Sequence, residues 1–589
     1  MATKHLLEEF PPVSTAAWEA AIARDLKGAD YEKKLIWHSD EALAVKPYYR
    51  AEDLAGLACL DAAPGEFPYR RGSRTNGDWR IREEIDAENA AEANRLARAA
   101  VAAGAEEISF SGRMVDSSAA LETLLANLGE VPVHLEPAGE KLLRLLIQRL
   151  DEQPHAAGIS TGCDALASVE FAAELIRSAP AGFVPFTIHG ELFEEAGATA
   201  VEEIGFALAA GIDFLAAMQE GGVDSARAAT AIEFRFAVRS DYFIEIAKLR
   251  AFRMVWARAI EAFGGSCQAA RITARTSRWN KTIYDPHVNI LRATTEAMAA
   301  VLGGADSVAV APFDACYKQP DAVSGRLARN TQLLLKHEAW LGRVADAGGG
   351  SYYLEALTDF LADEAWKRMQ GIEALGGYRE TKAQGAIDQA LAHSMVLRGQ
   401  AVATGRRVLT GTNRYANPAE HALDRVDVAL MSAVNRGARK YEELRLRAER
   451  HAAVGGRVPR VLLAEIGSAK MRSARSKFAA NFFACAGFEI ATQRFENASE
   501  IAAADTDLIM LCSSDPEYAA MVAELMPKLR TIACPPPVMV AGNPENAQEL
   551  ASAGIADFVH LRSNAVELLT KWQERLGIEL SEYRLEARS

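Results

Sequence analysis

The chain has no apolar run near the roughly 20 residues that crossing a bilayer requires. It also lacks a stripe of lysine and arginine of the kind that tracks a nucleic-acid backbone. The formal net charge is −14, which serves solubility and argues against a nucleic-acid partner. The first residues, Met1-Ala2-Thr3-Lys4-His5-Leu6-Leu7-Glu8-Glu9, hold neither a signal-peptide core nor a cleavage site. A cytoplasmic protein with no membrane or nucleic-acid partner is therefore expected. C-x-x-C is missing too. The cysteines Cys59, Cys163, Cys267, Cys316, Cys485, Cys512 and Cys534 are odd in number and widely spaced. In a reducing compartment that pattern points to buried thiols rather than disulfides or zinc ligands.

What is present is ample. The 589 residues exceed one domain and predict two or three. Residues 1–80 read as an extended arm, with Trp18, Tyr31 and Trp37-His38 as aromatic anchors in polar sequence and a turn at Asp25-Leu26-Lys27-Gly28. Such a segment has too little periodic apolar sequence to fold alone, so it packs either on its own barrel or on a partner chain.

Over 81–400, helical runs at about 87–103, 117–127, 139–151, 164–178, 199–218, 240–263, 286–302 and 325–340 alternate with short apolar stretches. Those stretches lie at 108–110, 131–133, 158–160, 183–188, 232–236, 271–273, 307–310 and 342–344. About eight alternations predict an α/β protein with a (β/α)8 TIM barrel. A long doubly wound sheet is the alternative. Residues 401–456 are charged and helical, end in Gly455-Gly456, and read as a linker. Residues 457–589 show five more alternations, a flavodoxin-like doubly wound domain with its ligand edge at the strand C-termini.

That last domain opens on the stretch 461–490: an apolar strand, Gly467, and a helix with Phe478, Phe482 and Phe483 on its inner side. The connecting loop is expected to hold Lys470, Arg472, Arg475 and Lys477, without histidine or acid. Elsewhere, the chemistry-bearing motifs are incomplete. Ala347-Gly348-Gly349-Gly350-Ser351 lacks the Lys-Ser/Thr of a phosphate loop and reads as a tight turn. His189-Gly190-Glu191 has the H-x-E form of a zinc deaminase, but Cys534 has no second cysteine near it. His287, after Asp285-Pro286, reads as a capping or core residue. Glu233 and Arg235 alternate with Ile232, Phe234 and Phe236 and should find partners inside the protein.

Several stretches resemble one family, the adenosylcobalamin-dependent methylmalonyl-CoA mutases. They are Arg275-Thr276-Ser277-Arg278-Trp279-Asn280-Lys281-Thr282, Arg326-Leu327-Ala328-Arg329-Asn330-Thr331-Gln332-Leu333, and Arg343-Val344-Ala345-Asp346 running through 358. Glu194-Glu195-Ala196-Gly197-Ala198-Thr199 and Ala247-Lys248-Leu249-Arg250 add two more. The resemblance covers nearly the whole chain, barrel first and cobalamin-type domain last.

The departures carry the functional expectation. Catalytic members open the last domain with Asp-x-His-x-x-Gly, whose histidine ligates cobalt while its aspartate orients the ring and its glycine clears the nucleotide tail. Counting back from Phe483-Ala484-Cys485-Ala486-Gly487-Phe488 puts Lys470 at the aspartate, Arg472 at the histidine and Arg475 at the glycine. A guanidinium has no free lone pair for a metal. The family's Ser-x-Leu becomes Ser513-Ser514-Asp515, and its paired glycines become Ala541-Gly542. In the barrel, Gly190-Glu191-Leu192-Phe193 puts Leu192 at the family's histidine, and 72–79 replaces a Tyr-Pro-Thr-Met-Tyr segment.

The resemblance thus implies a degenerate cobalamin-binding domain with no catalytic, cofactor or metal residues of its own. It implies the small, non-catalytic subunit of a bacterial heterodimer. Its catalytic large subunit would hold adenosylcobalamin and interconvert (R)-methylmalonyl-CoA and succinyl-CoA, the cofactor carrying the hard chemistry. An active acyl-CoA mutase with atypical cobalamin binding, or a CoA-type ligand sensor, stands as the alternative.

Overall fold

The computed structural model describes residues 12–578, apart from 153, 154, 156, 157, 165, 167, 181 and 267. The N-terminal stretch 1–9 and Cys267 therefore lie outside the described residues. Eight parallel strands close a barrel: β1 (Arg80–Ile85), β2 (Glu107–Ser111), β3 (Val133–Glu136), β4 (Ile159–Cys163), β5 (Phe183–His189), β6 (Ile232–Val238), β7 (Ile272–Thr276) and β8 (Ser307–Ala309). Pairing of Ser307 with Arg80 and of Val308 with Ile81 closes the ring between β8 and β1. Seven of the eight strands fall on or beside predicted stretches.

The remaining strand is a correction. Residues 342–344 form a 3-10 turn at Leu341–Arg343, where the Gly342 carbonyl accepts the Gly77 N–H at 3.2 Å. The missing strand is β1, at the start of the 81–400 span assigned to the barrel, where no strand is predicted. Its Ile81 and Ile85 are buried, while Arg82 and Glu84 alternate with them and break the apolar run.

The alternation on β6 shows how each strand divides its side chains. Phe234 and Phe236 point to the helices, meeting Phe252 of helix Tyr242–Ala262 edge-on at 4.5 and 4.7 Å between ring centres. Glu233 and Arg235 point the other way, into the lumen.

The arm splits in two. Helix Thr15–Asp25 buries no residue, and Trp18 and Trp37 remain about half exposed at 46% and 48%. From Ser39 onward the arm grips its own barrel. Glu41 accepts the N–H groups of Ala200 and Val201 at 3.0 and 3.2 Å, capping helix Ala200–Glu220. Arg70 is wholly buried and donates to Glu355 at 2.8 Å and to Asp359 at 3.1 Å, both on helix Tyr352–Glu373.

The second unit is a five-stranded parallel sheet of β9 (Arg460–Glu465), β10 (Glu489–Arg494), β11 (Leu508–Cys512), β12 (Val538–Ala541) and β13 (Asp557–Val559). Its order is β10-β9-β11-β12-β13, the flavodoxin-like arrangement. The preceding 401–456 stretch is wedged between barrel and sheet. In its helix Arg439–Ala453, Glu442 accepts the Ile283 N–H at 2.8 Å and Glu449 accepts the Tyr284 hydroxyl at 2.7 Å. Arg445 lies 3.6 Å over the Tyr284 ring. On its other side Gln573 donates to the carbonyls of Leu444 and Ala486 at 2.7 and 3.2 Å.

Cysteine burial is mixed. Cys163, Cys485 and Cys512 are buried free thiols, Cys59 and Cys316 are half-buried, and Cys534 is exposed, against the expectation of uniform burial.

Glu355 pairs with three arginines at once: Arg70, Arg71 and Arg250. Truncating a buried ion-pair partner strands the remaining charges and costs about 3–5 kcal/mol. Glu355→Ala is expected to lose stability on that scale in urea unfolding. Burial alone pushes the Glu355 carboxyl up, but Arg250, the Gly350 N–H, Arg70 and Arg71 outweigh it and hold it at about 2. The stabilisation is therefore complete above the ordinary glutamate value of about 4.3 and is lost as the pH falls toward 2. Wild type should show this acid-side loss in pH-dependent unfolding, and Glu355→Gln should show less of it.

Candidate functional site

Two places in this architecture are built to receive ligands: the C-terminal mouth of the barrel and the C-terminal edge of the second sheet. The mouth opens into a cavity of about 820 Å³ lined from β1, β2, β3, β6 and the loops after β7 and β8. Arg275, Arg278, Arg326 and Arg113 give it a cationic wall. Crowding by Arg275, together with burial, lowers the Arg278 guanidinium below its usual value.

Beneath the cavity the lumen is filled with charge. Arg82 donates to Glu107 at 3.1 Å and stands 3.7 Å from Glu233. Arg235 pairs with Glu136 and donates to His134 Nε2 at 2.7 Å. Because that nitrogen accepts, the ring proton sits on Nδ1, which lies 2.8 Å from Ser160 Oγ and 3.4 Å from Glu233. Burial, then the nearby Arg235, keeps His134 below its usual value. Glu233 and Arg235 thus find the internal partners expected of them. Aliphatic layers fill most such barrels; here a connected ion-pair network takes their place.

Leu192 lies in helix Gly190–Glu195, directly after β5, and is 54% exposed at the mouth side of the barrel. Residues 72–79 lie at the opposite end. Arg74 pairs with Asp306 at 3.2 Å just before β8, and buried Trp79 donates to Gln332 at 3.1 Å. The glycine run at 348–350 is a turn whose Gly350 N–H donates to Glu355 at 2.8 Å. His287 differs from expectation: its side chain makes no cap, and its exposed ring leans on Phe313 at 5.2 Å.

At the second sheet the connection after β9 is shorter than expected. Ile466-Gly467-Ser468 alone make the turn, and Lys470, Arg472, Arg475 and Lys477 belong to helix Ala469–Ala484. Phe482 and Phe483 on that helix are buried, and Phe478 packs partly beside them. Arg472 turns back to donate to the Gly467 carbonyl at 2.7 Å. Arg475 crosses the crevice to Asp515 at 2.9 Å.

That pair lies over the end of β12. A Cβ at Gly542 would stand 2.7 Å from Asp515 Oδ1 and 2.9 Å from Arg475 Nη1. The switch point between β9 and β11 is bridged by Glu517, a residue that sequence reasoning missed. It accepts from Ser513 Oγ at 2.6 Å, Ser514 N at 3.1 Å and Ser468 N at 3.3 Å. Those serine bonds hold its carboxyl down at about 2. A Cβ at Gly467, whose φ is +74°, would meet Glu517 at 2.5 Å. The one histidine of 457–589, His560, follows edge strand β13, and its Nδ1 accepts the Arg562 N–H at 3.1 Å.

The family described as methylmalonyl-CoA mutase matches this chain over residues 38–116 and 165–474. A protein of Porphyromonas gingivalis named methylmalonyl-CoA mutase small subunit is 35% identical, covering 97% of this chain and 99% of its own. The small subunit of Streptomyces virginiae is 32% identical, with 97% and 98% covered. The large subunit of Streptomyces virginiae is 30% identical, with only 75% and 67% covered. Barrel, doubly wound sheet and end-to-end similarity agree, and the chain belongs to the methylmalonyl-CoA mutase family.

Proposed function

We propose that this chain is the small, non-catalytic subunit of an adenosylcobalamin-dependent methylmalonyl-CoA mutase. It supports a large catalytic chain that holds the cofactor and interconverts (R)-methylmalonyl-CoA and succinyl-CoA. The observation that carries this reading is the crevice of the second sheet. Arg472 and Arg475 occupy the first turns of the helix after β9, and the Arg475–Asp515 and Glu517–Ser468 contacts span the space above the strand ends.

These residues do not fit a corrin cofactor. A guanidinium offers no lone pair to cobalt. His560 is at the far edge strand with its Nδ1 engaged. A nucleotide tail would have to displace Arg475 from over Gly542. The barrel supports the same reading. Leu192 supplies no proton-transferring group at the mouth, and the Arg82–Glu107–Glu233 and Arg235–Glu136 pairs occupy the axis below it.

Agreement in length with relatives named small subunits favours the supporting role over that of a self-sufficient mutase. The partner is then a longer chain of the same family carrying an intact Asp-x-His-x-x-Gly.

The purified chain is expected to leave the absorbance spectrum of added adenosylcobalamin unchanged and to show no turnover of methylmalonyl-CoA. It should co-purify with that longer chain as a stable complex that binds cobalamin and turns over methylmalonyl-CoA. Stoichiometric cobalamin binding or turnover by the chain alone would overturn the reading. Leu192→His, at a half-exposed position, should fold with a stability change below about 1 kcal/mol. It should remain inactive alone, because restoring one ring at the mouth leaves the second sheet unable to hold the cofactor.

A further inference from the structure

Three metal-ligand side chains from two parts of the sequence meet at one side of the barrel mouth. Glu136 ends β3, His189 ends β5, and Glu191 lies in the first turn of helix Gly190–Glu195. One ligand atom from each falls within 4.8 Å of the other two. His189 Nδ1 stands 3.0 Å from Glu191 Oε1 and 3.5 Å from Glu136 Oε1. Ligands bound at about 2.0–2.2 Å from one zinc ion stand roughly 3.0–3.6 Å apart for angles between square and tetrahedral. Two of the three ligand–ligand distances are already those of a coordination sphere, and the third lies within 4.8 Å.

The backbone that presents these groups is rigid. Two of the ligands end barrel strands, and Gly190 between the other pair is pressed against β6. A Cβ at Gly190 would come within 2.8 Å of the Arg235 carbonyl and of the Phe236 ring. Sites built on strands hold ligands more closely than sites on loops.

A second observation points to a missing partner. Glu191 Oε2 is buried and has no hydrogen-bond partner, on a side chain only 3% exposed. A buried carboxylate oxygen left without a partner is costly and rare. Arg235 does not relieve it, since that guanidinium pairs with Glu136 and stands 3.6 Å from the other oxygen, Oε1. Glu136 and Glu191 share one guanidinium and the His189 ring, and a divalent cation would serve both carboxylates at once.

We propose that Glu136, His189 and Glu191 form a binding site for one divalent transition metal, with one imidazole nitrogen and two carboxylate oxygens as ligands. That mixed, borderline donor set suits zinc rather than magnesium or calcium. With three protein ligands the sphere is incomplete. Glu136 also lines the 820 Å³ cavity, so the open position is filled from that side, by water or by an anion drawn to the cationic wall. The site is independent of the supporting-subunit reading, which rests on the second sheet.

The test uses the full-length untagged chain, stripped with chelator and titrated with Zn2+ against a chromophoric competitor, and separately with Co2+. Wild type should bind one equivalent of Zn2+. It should give visible Co2+ absorption bands of a low-coordinate N/O site. Glu191→Gln and His189→Ala should each weaken Zn2+ at least about 100-fold, the scale on which metal shells respond to single changes, and abolish the Co2+ bands. Glu191→Gln and Glu136→Gln preserve side-chain size, so they decide the matter should His189→Ala fail to fold. Uptake below one equivalent by wild type, or uptake unchanged in both glutamine variants, overturns the proposal.

Discussion

A guanidinium has no uncharged form near neutral pH, so an arginine that this chain buries needs an acid, or carbonyls as at Arg253 and Arg445, to receive its charge. That constraint runs through the whole fold. Arg82 and Arg235 bind Glu107, Glu136 and Glu233 inside the barrel. Arg70 and Arg250 meet at Glu355 where the arm joins helix Tyr352–Glu373. Arg239 joins Glu41 to Glu245. The barrel walls are held by ordinary aromatic and aliphatic packing. The register of what lies inside and against them is set by charge.

The same constraint decides what was legible in the sequence. Phe234 and Phe236 announced β6, and their partners Glu233 and Arg235 were correctly read as internal pairs. Arg82 and Glu84 follow the same alternation on β1, but only Ile81 and Ile85 flank them, so that strand reads as polar chain. Conversely, the 342–344 stretch carries a short apolar signal yet serves as a turn against Gly77. Periodicity reports which face is apolar. It cannot report that a polar face is also buried.

Candidate sites show a similar division. The replacement of histidine and aspartate by Arg472 and Lys470 is visible in a count of residues. That Arg475 reaches Asp515, and that Glu517 spans from β11 to Ser468, depends on two segments that lie about 40–50 residues apart in the chain and meet only at the sheet edge. At the barrel mouth His189-Gly190-Glu191 reads in the sequence as an H-x-E motif without further ligands. Glu136, the third group, comes from a strand end about 50 residues earlier, which the closure of a barrel brings alongside. Local spacing names donors one at a time, whereas topology assembles them.

Helix Arg439–Ala453 is gripped from both flanks, by Ile283 and Tyr284 on the barrel side and by Gln573 on the sheet side. Each of those contacts engages a buried group, so swinging the sheet away from the mouth would strand a carboxylate or a carbonyl in the dry interface. A hinge needs one flank whose bonds can be exchanged for water. Here both flanks are held by buried bonds, so one helix ties the barrel to the sheet from either side.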